Sequence, residues 1–417
     1  MAESDAVCTN RENLTTSSLS WPIVIWATAV HFIVDMYTNT IPSLLPSLAL
    51  LQGLTMTQTG VVLTVHSITG SFLQPFVGLC LDRWGKSWWL AGSVVYSAAM
   101  IALIGLFPNY WSLLVLYALA GLGSALMHPL GSVLSVRSAG SQPGLAISVY
   151  STGGNLGFSL GPLLAVWLVH RFGLPGLAYA FPFSILFALT YLGMRKELPV
   201  QVSTPRRVSQ ELGDIRITAA WWALIVLNII SWLRAWSQYI FTAYYPYHFI
   251  NHGYDVSISA PILSTFLLAG TVGTLAGGLL ADWIGRRAVI LGSMVLAVVS
   301  TWLCLTPPGP LVWLGIFLAG AALHAMVPVS IVIAQELVPH QAGMAAGLML
   351  GFAYGLGGLC TPITGRIADT YGIEMALKST YPILVLAVLL CFLLPLRTPG
   401  ASSAASYAGV TRDIDNK

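Results

Sequence analysis

Gly78-Leu79-Cys80-Leu81-Asp82-Arg83-Trp84-Gly85-Lys86 is answered two hundred residues later by Gly278-Leu279-Leu280-Ala281-Asp282-Trp283-Ile284-Gly285-Arg286. Each stretch ends a long apolar run and begins another. Between such runs a short charged turn is the shape of a loop at a membrane face. Composition agrees. Of 417 residues 56% are apolar and 8% charged, against roughly a quarter charged in an ordinary soluble chain. The 18 basic and 15 acidic residues are too few to cover a soluble fold of this size. A soluble enzyme, a nucleic-acid binder and a disordered scaffold are excluded.

Runs long enough to cross a bilayer, about 20 residues each, fall at 21–46, 57–81, 88–107, 111–137, 143–170, 174–194, 217–249, 259–281, 288–306, 311–335, 343–368 and 379–396. They are numbered as spans 1 to 12. The runs are continuous rather than alternating, which excludes a barrel. The first twenty residues hold Glu3, Asp5, Glu12 and a lone Arg11, which is not a signal-peptide start. The five cysteines (Cys8, Cys80, Cys304, Cys360, Cys391) are scattered, so neither disulfides nor a metal is expected. The tails and even-numbered loops carry Arg11, Arg83, Lys86, Arg137, Arg195, Lys196, Arg206, Arg207, Arg216, Arg286, Arg287, Arg397, Arg412 and Lys417. The odd-numbered loops carry only Arg171, Arg366 and Lys378. The positive-inside rule then predicts both termini in the cytoplasm.

The expected organisation is a tail at 1–20, a six-helix bundle at 21–194, a charged linker at 195–216, a second six-helix bundle at 217–397 and a tail at 398–417. Three correspondences support a repeat: the two loops quoted above; Gly121 and Pro129 with Gly320 and Pro328; and the face Gly153, Gly157, Gly161, Pro162 with Gly343, Gly347, Gly351, Gly355, Pro362. Glycines four apart share one helix side and let backbones approach where lipid supplies no hydrophobic drive. Spans 5 and 11 are therefore expected to be tight contact helices. Asp82 should reach the N-terminus of span 11, and Asp282 that of span 5, where a carboxylate is worth roughly 0.3–1 kcal/mol when exposed. With Arg83, Lys86, Arg286 and Arg287 they are expected to form a breakable clasp between the halves, the plainer alternative being topology-setting charge. Gly85-Lys86-Ser87 is not a phosphate loop, because the glycine that loop needs five positions earlier is Cys80.

Asp35 in span 1 and Arg234 in span 7 lie near mid-span. Facing lipid, each would cost about 2.5–3.5 kcal/mol, so both should face an internal cavity or each other. His31, His66, His128 and His324 are the other ionisable groups at that depth. His31 and Asp35 are four apart and share a helix face. Asp35 is expected to carry a proton with His31 as its partner; a fixed ion pair with His31 or Arg234 is the alternative. Arg234 is the expected anchor of an anionic cargo, since a guanidinium fork matches phosphonate and carboxylate oxygens, with Gln238 beside it. Tyr37 and Asn39 are expected to line the cavity, and Tyr244 and Tyr245 its outer mouth. His128, before Pro129, either takes part in binding or satisfies the carbonyl that proline frees. His324 joins the binding residues, though packing or water contact also explains it and His66. Arg137 and Glu336 end spans 4 and 10, as snorkelling charges or as part of a cytoplasmic gate.

The repeated Gly-x-x-x-Asp-x-x-Gly-Arg/Lys loop resembles the signature of the major facilitator superfamily. The stretches Gly121 to Pro129, Gly153 to Leu164 and Ala334 to Pro339 resemble its fosmidomycin-resistance branch of drug efflux proteins. Where that branch has an acidic residue after the His-Pro, this chain has Leu130. The antiporter signature is partial: Gly157-x-x-x-Gly161-Pro162 is followed by Ala165-Val166 rather than two glycines. The resemblance implies an all-α fold of two pseudo-symmetric bundles, a central cavity lined by spans 1, 4, 7 and 10, and a gate role for Glu336. It also implies proton-driven efflux of a small polar or anionic compound from the inner membrane. No cofactor is expected, only a proton gradient. The expected partners are a small-molecule substrate, protons and lipids, with no nucleic acid, and the chain is expected to be a monomer. Proton-linked uptake of a metabolite anion is the rival within transport. An intramembrane transferase would need catalytic groups clustered at one membrane face, which the sequence lacks.

Overall fold

A computed structural model describes residues 20–139, 142–198, 219–338 and 342–394, and these are helical nearly throughout. Twelve helices are long and apolar enough to cross a membrane: α1 Trp21–Gln52, α2 Met56–Gly78, α3 Trp88–Leu106, α4 Tyr110–Arg137, α5 Leu145–Phe172, α6 Leu174–Met194, α7 Ala220–Asn251, α8 Val256–Ile284, α9 Arg286–Cys304, α10 Pro310–Leu337, α11 Leu348–Tyr371 and α12 Ile373–Cys391. These match the twelve expected spans. Exposed tryptophans stand near helix ends at both faces, among them Trp88, Trp222 and Trp283 at one and Trp111 and Trp302 at the other, where an amphipathic ring suits the headgroup region.

Helices α1–α6 pack mainly with one another, as do α7–α12; the halves meet where α2 lies on α11 and α5 on α8. The glycine faces explain how closely the helices approach. A methyl at Gly153, Gly157 or Gly161 of α5 would collide with Thr28, Phe32 or Met36 of α1, so this expected contact face packs inside its own half. On α11 the picture is mixed. Gly355 lies against Phe72 and Gly351 near Ser71 of α2, but Gly347 has nothing within 4 Å of where a side chain would begin. The packing reading fails at Gly347. The tight backbone approaches move further along α11, to Gly357 against Ala235, Gly358 against Ser67 and Gly365 against Met56.

Prolines inside helices free carbonyls four residues earlier, and at three of them a side chain from a neighbouring helix takes the carbonyl up. Pro42 frees Thr38 O, which the Tyr117 hydroxyl reaches at 3.0 Å. Pro162 frees Phe158 O, bound by Asn39 Nδ2 at 2.6 Å. Pro362 frees Gly358 O, bound by Thr64 Oγ1 at 2.7 Å. A buried carbonyl left bare would cost about 1–3 kcal/mol, so each bond pins one helix to another at a fixed depth. The first two lie within one half; the third crosses between the halves.

Helices α2 and α11 each carry one π-helical turn, Ile68–Phe72 and Leu348–Phe352. The two turns face each other, with the rings of Phe72 and Phe352 5.8 Å apart. From there toward the face away from the linker the two helices stay joined: Ser67 Oγ binds Tyr354 O at 3.1 Å, and Thr64 binds Gly358.

Candidate functional site

Asp35 sits in the middle of α1, 2% exposed. One turn earlier, His31 places Nε2 3.1 Å from Asp35 Oδ2. From α4, His128 Nε2 lies 3.6 Å from Asp35 Oδ1, which is too long for a hydrogen bond. The His31 and His128 rings meet edge to face at 4.8 Å. These three side chains offer donor atoms within 4.8 Å of one another, the spacing from which a small cation is held.

The other ring nitrogen of His31 fixes the tautomer. Nδ1 lies 2.9 Å from the backbone oxygen of Tyr150 on α5. A carbonyl can only accept, so Nδ1 carries the hydrogen. Nε2 then faces a carboxylate oxygen with either a lone pair or a second hydrogen. Two lone pairs at 3.1 Å repel, so a hydrogen bond there requires a proton between them, on the imidazole or on the carboxylate. Gly154, one turn after Tyr150, completes the seat: a methyl there would strike the His31 ring. His66 stacks on Tyr117 at 4.3 Å, within electrostatic range of Asp35, and its buried Nε2 has no hydrogen-bond partner.

Arg234 is the facing group in the other half. It lies on α7 and is 1% exposed. Its Nη1 donates to Gln238 Oε1 at 2.8 Å and to Leu323 O at 3.2 Å. The guanidinium lies 4.5 Å from the centre of the Tyr354 ring, a cation–π contact. Its buried Nε has no partner, and among the described residues it forms no ion pair. The guanidinium is thus a buried cation held by neutral groups and an aromatic face, with its Nε unused. His324 of α10 is within electrostatic range; its Nδ1 is bonded to Gly320 O at 2.8 Å. Tyr117 of one half, stacked on His66, and Tyr239 of the other, within electrostatic range of Arg234, are close enough to interact with each other.

Asp35, His31 and His128 therefore form one buried cluster on α1 and α4, and Arg234, Gln238 and His324 a second on α7 and α10. Tyr37 and Asn39 do not line a cavity. Tyr37 is buried with its hydroxyl on Ala180 O of α6, and Asn39 is committed to the Phe158 carbonyl of α5. Tyr37, two residues past Asp35, lies on another face of α1; Asn39 shares the face one turn on, but there it meets the carbonyl that Pro162 frees on α5. Tyr245 is likewise buried inside its half, bonded to Cys304 O at 2.7 Å. Tyr244 reaches across to α2, with its hydroxyl 3.1 Å from Met56 O.

At the linker face, Arg286 pairs with Glu336 within its own half. Asp282, Lys86 and Arg137 are exposed, and none of them, nor Arg287, makes an ion pair among the described residues. The side chains of Asp82 and Arg83 lie outside the described residues. At the other face, His248 Nδ1 lies 2.6 Å from Glu374 Oε1 and ties α7 to α12. The residues that sequence reading did not single out are Tyr150, Gly154, Tyr117, Tyr239 and Tyr354. Aromatic residues recur throughout this chain, so no local signal separates these from interface tyrosines.

Twelve membrane-crossing helices in two halves, with ionisable groups buried at mid-span, are the architecture of a membrane transporter and not of an enzyme. The family model of the Major Facilitator Superfamily matches residues 27–362, and the chain belongs to that superfamily. It is 30% identical over 372 residues to the fosmidomycin resistance protein of Escherichia coli (strain K12), covering 87% of this chain and 90% of that protein. It is 31% identical over 389 residues to the uncharacterized MFS-type transporter YfnC of Bacillus subtilis (strain 168), covering 90% and 93%. The multidrug resistance protein MdtG of Salmonella paratyphi A is 26% identical over 327 residues, covering 75% and 79%. Among solved structures, a bacterial homologue of the human lysosomal transporter Spinster, inward-facing and occupied, superposes with a TM-score of 0.75 at 15% identity, over 92% of this chain and all of that one. These likenesses bear out the expected fold and family.

Proposed function

We propose that the protein is a proton-driven efflux antiporter of the bacterial inner membrane, with both termini in the cytoplasm. It exports a small polar or anionic compound, of which a fosmidomycin-type phosphonate is the leading case, by alternating access. The His31–Asp35 pair carries the proton and Arg234 holds the anion, with Gln238 and Tyr354 orienting the guanidinium. His128, loosely placed beside Asp35 and 28% exposed, exchanges the proton with water. The energy source is the proton gradient.

The observation that carries this reading is a buried His31–Asp35 contact in one half together with a buried guanidinium in the other that forms no ion pair among the described residues. Relatives named for drug resistance support the outward direction.

The test is purified protein in liposomes with an imposed pH gradient and labelled fosmidomycin. Antiport predicts accumulation driven by an acidic lumen, lost in Asp35→Asn. Accumulation driven by an acidic exterior would replace antiport with proton-linked uptake. Gradient-driven flux that survives Asp35→Asn would remove Asp35 as the carrier.

A further inference from the structure

Asp369 ends α11 at the face away from the linker, and its carboxylate takes hold of the start of α2 in the other half. Met56 N donates to Oδ1 at 2.7 Å, Thr57 N to Oδ2 at 2.9 Å, and Thr57 Oγ1 to Oδ2 at 2.5 Å. The first turn of a helix leaves its leading N–H groups without internal partners. Two of these are met locally by a capping box: Gln58 N donates to Thr55 Oγ1, and Thr55 N to Gln58 Oε1. The two that remain, Met56 and Thr57, are the ones Asp369 accepts from. Beside them Tyr244 of α7 lies within reach of both Met56 O and Thr361 O. Gly60 and Gly365 are packed so closely around its hydroxyl that a methyl on either would collide with it.

The sequence around Asp369 is a third copy of the loop pattern. Gly365-x-x-x-Asp369-x-x-Gly372 has the spacing of Gly78-x-x-x-Asp82-x-x-Gly85 and Gly278-x-x-x-Asp282-x-x-Gly285, but it sits at the opposite face. Gly372 and Gly285 share a left-handed backbone, with φ of 86° and 90°. The copies differ in engagement. Gly365 is pressed against Met56 O, whereas Gly78 and Gly278 have nothing within 4 Å. The pattern is engaged at the face where α2 and α11 are joined, while at the linker face Asp282 makes no ion pair among the described residues.

We propose that Asp369 is a positioning residue of the transport cycle: a releasable clasp that holds the face away from the linker shut by capping α2, and lets go when that face opens. Release is feasible because the bonded groups are not buried. Asp369 is exposed, so water can satisfy the two N–H groups and the carboxylate as they part. The clasp shifts the balance between two states without touching cargo or the proton pair.

The experiment is a distance measurement between spin labels placed through cysteines at Leu54 and Thr370, on the full chain in nanodiscs. In the otherwise native background a short distance dominates. Asp369→Asn keeps the size but loses the charge, and should raise the long-distance population relative to the short one by about tenfold, the scale of hydrogen bonds to a charged group. Thr57→Val removes one of the three bonds and should give a smaller shift in the same direction, and Asp369→Glu should restore much of the short distance. Distributions unchanged in both Asp369→Asn and Thr57→Val would overturn the proposal, as would equal shifts in Asp369→Asn and Asp369→Glu. The readout does not depend on the cargo or on proton coupling, so it stands apart from the test of antiport.

Discussion

Gly154 of α5 lies against the imidazole of His31 on α1, so close that its missing side chain is what lets the ring reach Asp35. The His31–Asp35 pair is thus set by a contact between two helices and not by α1 alone. Gly154→Ala would push His31 aside or force α5 away, and overpacking of this kind costs about 1–3 kcal/mol. The expected outcome is a folded protein whose gradient-driven flux falls at least as far as in His31→Ala. A flux and pH profile like the unsubstituted protein's would show that the contact is not needed.

Arg234 should discriminate by shape as well as charge. Arg234→Gln removes the anion anchor and should raise the KM for an anionic cargo by tenfold or more, about 1.4 kcal/mol or above. Arg234→Lys keeps the charge but loses the planar fork, and should fall between. Initial-rate uptake at several cargo concentrations separates the three. Tyr354→Leu, which removes the ring from the guanidinium, should raise the KM by a smaller factor.

The bond from Thr64 to the Gly358 carbonyl exists because Pro362 has no N–H to give. Thr64→Val should therefore lower stability by about 1–3 kcal/mol. In a Pro362→Ala background, where a backbone N–H is restored, the same substitution should cost much less. A double-mutant cycle on thermal unfolding in detergent measures the difference, and additive effects would contradict the assignment.

Asp255 caps the turn that opens α8. Hydrogen bonds from the side chain and backbone of Ser257 hold its carboxyl below its ordinary pKa. A folded pKa below the unfolded one adds stability that is fully present above the unfolded value and is lost as pH falls through the folded one. Asp255→Asn should therefore be less stable at neutral pH and converge with the parent in acid. Unfolding midpoints from pH 7 down to pH 3 check this. The effect should be small, since the group is fully exposed and screened by water.

Much of the central site was legible in the sequence. A charge that cannot face lipid must face protein, and this reasoning placed Asp35, Arg234 and the histidines of α1, α4 and α10 at the centre. The His31–Asp35 contact follows from a spacing of four. The reading went astray where the neighbour mattered. Tyr37 and Asn39 seemed to continue the polar face of α1, yet Pro162 exposes a carbonyl that claims Asn39, and Tyr37 turns to α6. Arg286 was expected to join the halves and instead meets Glu336 beside it.

The sequence alone determined the number of helices, their membrane setting and the ionisable groups that had to be kept from lipid. Burial of charge and the length of apolar runs are properties of one chain segment against its solvent. Only the tertiary structure decided which partner each group meets: Tyr150 O for His31, Tyr354 for Arg234, the start of α2 for Asp369. The helical period fixes which residues share a face, but rotation and depth against the next helix come from packing between segments far apart in the chain.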